Sequence, residues 1–158
     1  MTRVVLFDWG DTLMVDFPQY AGKMCLWPEV AALPGAQEAL AYLCRRSSLH
    51  VASGASDSTA DDIRLALARV GLDRFITGIF CRQNTGYAKP DPRFFRAVLG
   101  FLRVTAREVT MVGDSLEKDV LPCHRLGMKA VLLSGVDPPS LPPGIGCIRS
   151  LHELVLRA

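Results

Sequence analysis

Four places along this chain carry side chains able to do chemistry: Asp8, the Ser53-Gly54 pair, Lys89, and the run Gly113-Asp114 with Asp119 shortly after it. Carboxylates brought together from Asp8, Asp114 and Asp119 would repel one another unless a cation sat among them, and an all-oxygen set of this kind suits magnesium. Taken one at a time the same residues are ordinary: Asp8 reads equally well as a cap on the turn after an apolar run, and Lys89 as a solvated lysine. The chemistry depends on whether the fold makes them converge.

The elements that must position them alternate. "VVLF", Val4–Phe7, is apolar and β-branched and predicts a fully buried strand with Asp8 at its carboxyl end. "PGAQEALAYLCRR" predicts a helix after Pro34-Gly35 with arginines in its last turn. "LHVAS", Leu49–Ser53, predicts a short strand, and "SDSTADDIRLALARVG" a capped helix stopped by Gly71. Next come a strand over residues 75–81 and a helix from Asp91 with proline in its first turn. "EVTMVGD", residues 108–114, predicts a strand ending in glycine and aspartate, before a helix "LEKDVLPCHRLG" that Pro122 interrupts and a strand "KAVLL". The proline-rich stretch 136–144 predicts an extended loop, and "SLHELVLR" a short helix capped by Ser150.

Short apolar strands alternating with amphipathic helices imply an α/β fold: a Rossmann-like, doubly wound parallel sheet of about five or six strands with helices on both faces. In such a sheet the carboxyl ends of the strands share one edge, so Asp8, Ser53, Gly54 and Asp114 meet there although they are far apart in sequence. Asp119, near the first turn of the next helix, can turn toward the same place. Lys89 sits in "GYAKPDP", where Pro90 and Pro92 stiffen the loop before a helix.

Length and composition narrow the classes. The 158 residues suit one domain, 1–158, with a short irregular segment, residues 14–34, holding the apolar cluster Met24, Leu26 and Trp27. A net charge of +2 with arginines scattered along the chain gives no nucleic-acid stripe. No apolar run approaches the roughly 18 residues of a membrane span. Met1 to Asp8 lead straight into a strand, leaving no room for a signal peptide, so the cytoplasm is the expected location. The five cysteines are widely spaced, with no C-x-x-C pair, and read as reduced packing residues.

The motifs together resemble those of the haloacid dehalogenase superfamily of hydrolases. "FDWGDTL" resembles its first motif, "VASG" its second, "AKPDP" its lysine motif and "VGDSLEKD" its acidic fourth motif, in the right order and spacing over most of the chain. The resemblance implies a Rossmann-like core and magnesium-dependent phosphoryl transfer through an aspartyl-phosphate. It makes Asp8 the nucleophile. Asp8, the backbone carbonyl of Gly10 and Asp114 would bind magnesium, with Asp119 as a ligand or one layer out. Ser53, the backbone of Gly54 and Lys89 would hold the phosphoryl oxygens, and Thr12 would brace the turn after Asp8. The expected substrate is a small phosphorylated molecule or an accessible phosphate on a larger one.

Gly10 departs from the pattern, because phosphatases of this family usually carry there an aspartate that protonates the leaving group and then activates water. Asp11 stands one residue further on, where the family usually has glycine. Either Asp11 takes over the proton transfer, or nothing does and only good leaving groups turn over quickly; a third reading makes Asp11 a turn-stabilising residue. Adjacent side chains in an extended turn point in different directions, which favours the second. The short segment 14–34 stands where many relatives insert a sizeable cap domain, so the site is expected to be open, with Met24 and Trp27 or a protein partner left to select the substrate. Two other readings compete: a non-catalytic module of the same fold that binds phosphate or a protein, favoured by Gly10, and a phosphonate hydrolase, which would need a large cap with a reactive lysine that Lys23 poorly replaces.

Overall fold

The computed structural model describes residues 3–138 and 140–156. Six strands, β1 (Val4–Phe7), β2 (Ser48–Ala52), β3 (Gly78–Phe80), β4 (Val109–Gly113), β5 (Lys129–Leu133) and β6 (Ile145–Ile148), form one parallel sheet in the order β3-β2-β1-β4-β5-β6. The direction of winding reverses between β1 and β4, where Phe7 pairs with Val112 and the Asp8 amide donates to the Val112 carbonyl at 3.0 Å. A crevice opens beyond the strand ends at such a reversal.

Alternation along β1 sorts the core into two layers. Val5 and Phe7 join one apolar cluster with Leu40, Ile63, Leu67 and Leu151, while Val4 and Leu6 join the other with Phe94, Phe95, Val98 and Cys123. The first layer is covered by α1 (Ala36–Leu43), α2 (Ala60–Arg69) and α6 (His152–Leu156). The second is covered by α4 (Pro92–Leu102) and α5 (Leu121–Arg125), with the one-turn helix α3 (Arg82–Thr85) leading into the Lys89 loop. The α/β doubly wound sheet expected from the sequence is therefore present. Among the described residues no helix is long and apolar enough to cross a membrane.

Several local expectations are corrected. α1 ends at Leu43, so Arg45 and Arg46 lie beyond its last turn; the amides of Arg46 and Ser47 both donate to the Leu43 carbonyl as the chain bends into β2. The strand expected over 75–81 is shortened to Gly78–Phe80, its start being taken by a tight turn at Asp73–Phe75. β6 comes directly after the proline-rich loop and pairs with β5 along its whole length. Pro122 coincides with a widened turn: residues Leu116–Val120 form a π-helical stretch, with the Val120 amide donating to the Ser115 carbonyl at 3.2 Å, before ordinary α geometry resumes in α5. A proline has no N–H with which to continue the regular ladder.

Residues 14–34 run against α2. Lys23 pairs with Asp62 at 2.9 Å, and the Arg69 guanidinium donates to the carbonyls of Trp27 at 2.6 Å and Cys25 at 3.3 Å. Met24 and Trp27 are buried while Leu26 between them is 78 % exposed.

Candidate active site

The loop after β1 closes tightly on one carbonyl. The amides of Thr12, Leu13 and Met14 all point at the Trp9 oxygen, at 3.3, 2.9 and 3.1 Å, and Asp11 takes a left-handed conformation, φ 58°, as the chain doubles back. The Trp9 ring is buried, its indole N–H directed at the Met14 sulfur, so Trp9 packs into the core even though it also borders the crevice. Asp8 is left at the strand end with its carboxylate presented upward.

Lys89 ties the site together. Its Nζ donates to Asp8 Oδ1 at 2.9 Å, to Asp119 Oδ1 at 2.6 Å and to the Ala52 carbonyl at 2.7 Å, so one ammonium fixes the ends of β1 and β2 and the turn after β4. Burial works against its charge, but the carboxylates of Asp8 and Asp119 outweigh that cost and hold the ammonium above the ordinary lysine value. Lys89 is thus a buried, permanently charged group. Gly54 lies against its stem: a Cβ there would stand 3.3 Å from Lys89 Cε.

The second tie is Thr12. Its Oγ1 lies 3.2 Å from Asp8 Oδ2 and 3.3 Å from Asp114 Oδ1, and accepts from the Asp114 amide at 3.2 Å. It therefore braces the two acidic loops against each other as well as its own turn. Ser53 is buried at the end of β2 and accepts the Ala55 amide at 3.0 Å, which leaves its hydroxyl hydrogen available to an acceptor in the crevice.

One carboxylate oxygen from each of Asp8, Asp114 and Asp119 lies within 4.8 Å of the others. Loss of hydration first, and then the neighbouring Asp8 and Asp119 carboxylates, push the Asp114 carboxyl up to about 7. Burial first, and then Asp8, raise Asp119 to about 6, against the pull of Lys89 and of the Ser115 amide. Raised carboxyls in a cluster of oxygens only are what a hard divalent cation would relieve, so the donor set fits magnesium. Asp119 is already engaged at both oxygens, Oδ1 by Lys89 and Oδ2 by the Ser115 amide at 3.2 Å, which suits it to hold others in place.

The crevice, about 500 Å³, is bordered by Asp8, Ser53, Gly54, Lys89, Asp114 and Asp119 together with Gly10, Asp11, Asp16, Met24, Trp27 and Lys118. The residues expected to act as nucleophile, acid, phosphate donors and metal ligands, Asp8, Gly10, Asp11, Ser53, Gly54, Lys89, Asp114 and Asp119, thus border one space, while Thr12 braces it from behind. Asp11 accepts the Asp16 amide at 2.9 Å, which matches the turn-stabilising reading of that side chain. Asp16 was not among the expected residues. It lies in the segment read as irregular, and its signal is tertiary: the strand-end loop returns through paired contacts of Met14 with Gly10 and Ala32, bringing residue 16 back beside residue 10. Burial first, and then Asp11, Asp57 and Asp8, raise the Asp16 carboxyl above its ordinary value.

The profile of the haloacid dehalogenase-like hydrolases matches residues 8–127. The chain is 32% identical over 105 residues to a ribulose-1,5-bisphosphate 5-phosphatase of Halopiger xanaduensis, spanning 66% of this chain and 43% of that protein. It is 35% identical over 96 residues to a phosphoserine phosphatase of Thermus thermophilus, spanning 60% of this chain and 38% of that one. The chain therefore spans less than half the length of these curated relatives. A putative HAD-hydrolase of Bacillus subtilis, solved bound to magnesium, superposes with a TM-score of 0.78 over 99% of this chain and 98% of that one at 18% identity, a likeness of fold. With a family match that reaches from the first acidic motif past the last, this chain belongs to the haloacid dehalogenase-like hydrolases.

Proposed function

We propose that the protein is a magnesium-dependent phosphatase that hydrolyses a phosphate monoester through an aspartyl-phosphate on Asp8. The observation that carries this reading is the carboxylate of Asp8 at the crevice floor, held from one side by Lys89 and from the other by Thr12, in contact range of Asp114. Asp8 and Asp114, with the Gly10 carbonyl, would hold the magnesium, and Asp119 would orient Lys89 from one layer out. When bound, the ion supplies charge neutralisation between nucleophile and phosphoryl group.

The remaining roles belong to this chain's own groups. An Asp8 oxygen attacks phosphorus and the alcohol departs; water then attacks the acyl phosphate and frees Asp8. Lys89, the Ser53 hydroxyl and the Gly54 amide offer positive charge and donors to the phosphoryl oxygens. The two curated relatives act on small phosphorylated molecules, which supports a substrate of that class. Residues 14–34 form one crevice wall through Gly22, Met24 and Trp27, so in this reading they take the part of a cap within a single domain spanning 1–158.

Gly10 favours the second reading, a phosphate-binding module without turnover. A panel of phosphate esters assayed with and without magnesium, alongside Asp8→Asn, separates the two. Magnesium-dependent release lost in Asp8→Asn supports the phosphatase, whereas binding of phosphate with no release by the wild type supports the module.

A further inference from the structure

We propose that Asp16 supplies the acid/base function that Gly10 lacks, and that Asp11 is the positioning residue that holds it there. The inference rests on the phosphatase reading and adds to it the group that moves the proton.

The geometry begins at Gly10. A Cβ built on that residue would stand 3.5 Å from Asp16 Cβ, 3.6 Å from Asp16 Oδ2 and 3.7 Å from Asp16 Cγ. The Asp16 carboxylate therefore lies beside the point from which a side chain at position 10 would start, on the same crevice as Asp8 and Lys89. Its approach is fixed on both sides. Met14 bridges to Gly10 and to Ala32, the Val15 amide donates to the Ala31 carbonyl at 2.9 Å, and the Asp16 amide donates to Asp11 Oδ1 at 2.9 Å. Asp11 spends its carboxylate on the backbone of residue 16, and its left-handed φ of 58° aims it there. The glycine and the displaced aspartate are then one arrangement: the turn that puts Asp11 after Gly10 also returns Asp16 to the place.

The proton balance is complete without a further reactant. As the Asp8 oxygen bonds to phosphorus, the bond from phosphorus to the ester oxygen breaks, and that oxygen takes the proton of the Asp16 carboxyl and leaves as the alcohol. Water then attacks phosphorus and gives a proton to the Asp16 carboxylate, the bond from phosphorus to Asp8 breaks, and Asp8 carboxylate and inorganic phosphate are released. The acid matters most where the departing oxygen is a poor leaving group.

The test compares an alkyl phosphate with p-nitrophenyl phosphate in the wild type, Asp16→Asn, Asp11→Gly and the double variant Gly10→Asp with Asp16→Asn. Asp16→Asn is expected to lose about 10²- to 10⁴-fold in kcat on the alkyl ester while the aryl ester loses far less. Asp11→Gly keeps the left-handed turn and removes the acceptor; it should show the same selectivity with a smaller loss. The double variant should regain alkyl turnover, since an acid from position 10 enters the same space. Equal losses on both esters, or no loss on either, in a wild type whose activity depends on Asp8 would overturn the assignment of Asp16 alone. A wild type inert toward both esters would overturn the phosphatase reading and this assignment with it.

Discussion

Asp119 occupies the space that a side chain at position 113 would need: a Cβ on Gly113 would fall 2.6 Å from both Cβ and Cγ of Asp119. The last residue of β4 and the inward carboxylate of the following turn are therefore fitted to each other, and through Asp119 Oδ1 the fit extends to Lys89.

Gly113→Ala should consequently shift Asp119, and Lys89 with it. Overpacking of this kind costs about 1–3 kcal/mol, read as a lowered urea midpoint, and the displaced lysine should cut turnover of any phosphate ester more than the stability loss alone would. A variant with unchanged midpoint and rate would show that the turn accommodates the methyl group freely.

Lys89 can be tested apart from catalysis. Lys89→Met leaves Asp119, 1 % exposed, and Asp8 without their shared cation, and breaking a buried pair from one side costs about 3–5 kcal/mol. Adding Asp119→Asn should return part of that loss in equilibrium unfolding. If the double variant is no more stable than Lys89→Met, the carboxylate is relieved by something other than the lysine.

The two raised carboxyls give a dependence on pH with a definite sign. Asp114 and Asp119 hold their protons more tightly in the fold, to about 7 and about 6, than in the unfolded chain, near 3.8. Between those values the folded state binds more protons, so these groups make the metal-free protein lose stability as pH rises from 3.8 through the raised values. Magnesium competes with the same protons, and its stabilising effect should grow with pH. Thermal melts with and without magnesium, at about pH 5.5 and about pH 8, should show the larger upward shift at the higher pH; equal shifts would argue that the ion does not bind these carboxylates.

Arg69 lies outside the acidic cluster and tests the wall of the crevice. Its hydrogen bonds to the Trp27 and Cys25 carbonyls hold residues 14–34 to α2. Arg69→Ala should speed proteolytic cleavage within that segment by roughly 2- to 10-fold, the range set by losing about 0.5–1.5 kcal/mol. Mass spectrometry of the fragments would locate the cuts. Unaltered cleavage would mean that the buried Met24 and Trp27, with the Lys23–Asp62 pair, hold the segment without Arg69.

The features legible in the sequence are those that a single strand or a single helix end announces. β1 and β4 are apolar runs ending in acids, and both fall at the winding reversal with Asp8 and Asp114 at their ends. β6 is hidden because Gly146 and Cys147 dilute a four-residue strand that comes after prolines, and only pairing with β5 makes it one. Pro122 marks an interruption, but nothing in its neighbours says that the turn widens. Asp16 is hidden for a similar reason. Its place beside Gly10 comes from three amides converging on the Trp9 carbonyl and from bridges made by Met14, contacts that carry no periodicity.

The widened turn at Leu116–Val120 amounts to one residue more than a regular helix would use. Deleting a residue there would let the helix run smoothly, yet each position removed rotates the residues before it by about 100° relative to those after it, and the carboxylate of Asp119 would swing off its lysine. Regularity of the backbone has been surrendered at that spot for the bearing of a single side chain, so a shorter, tidier helix in an engineered version should gain order and lose its grip on the crevice floor.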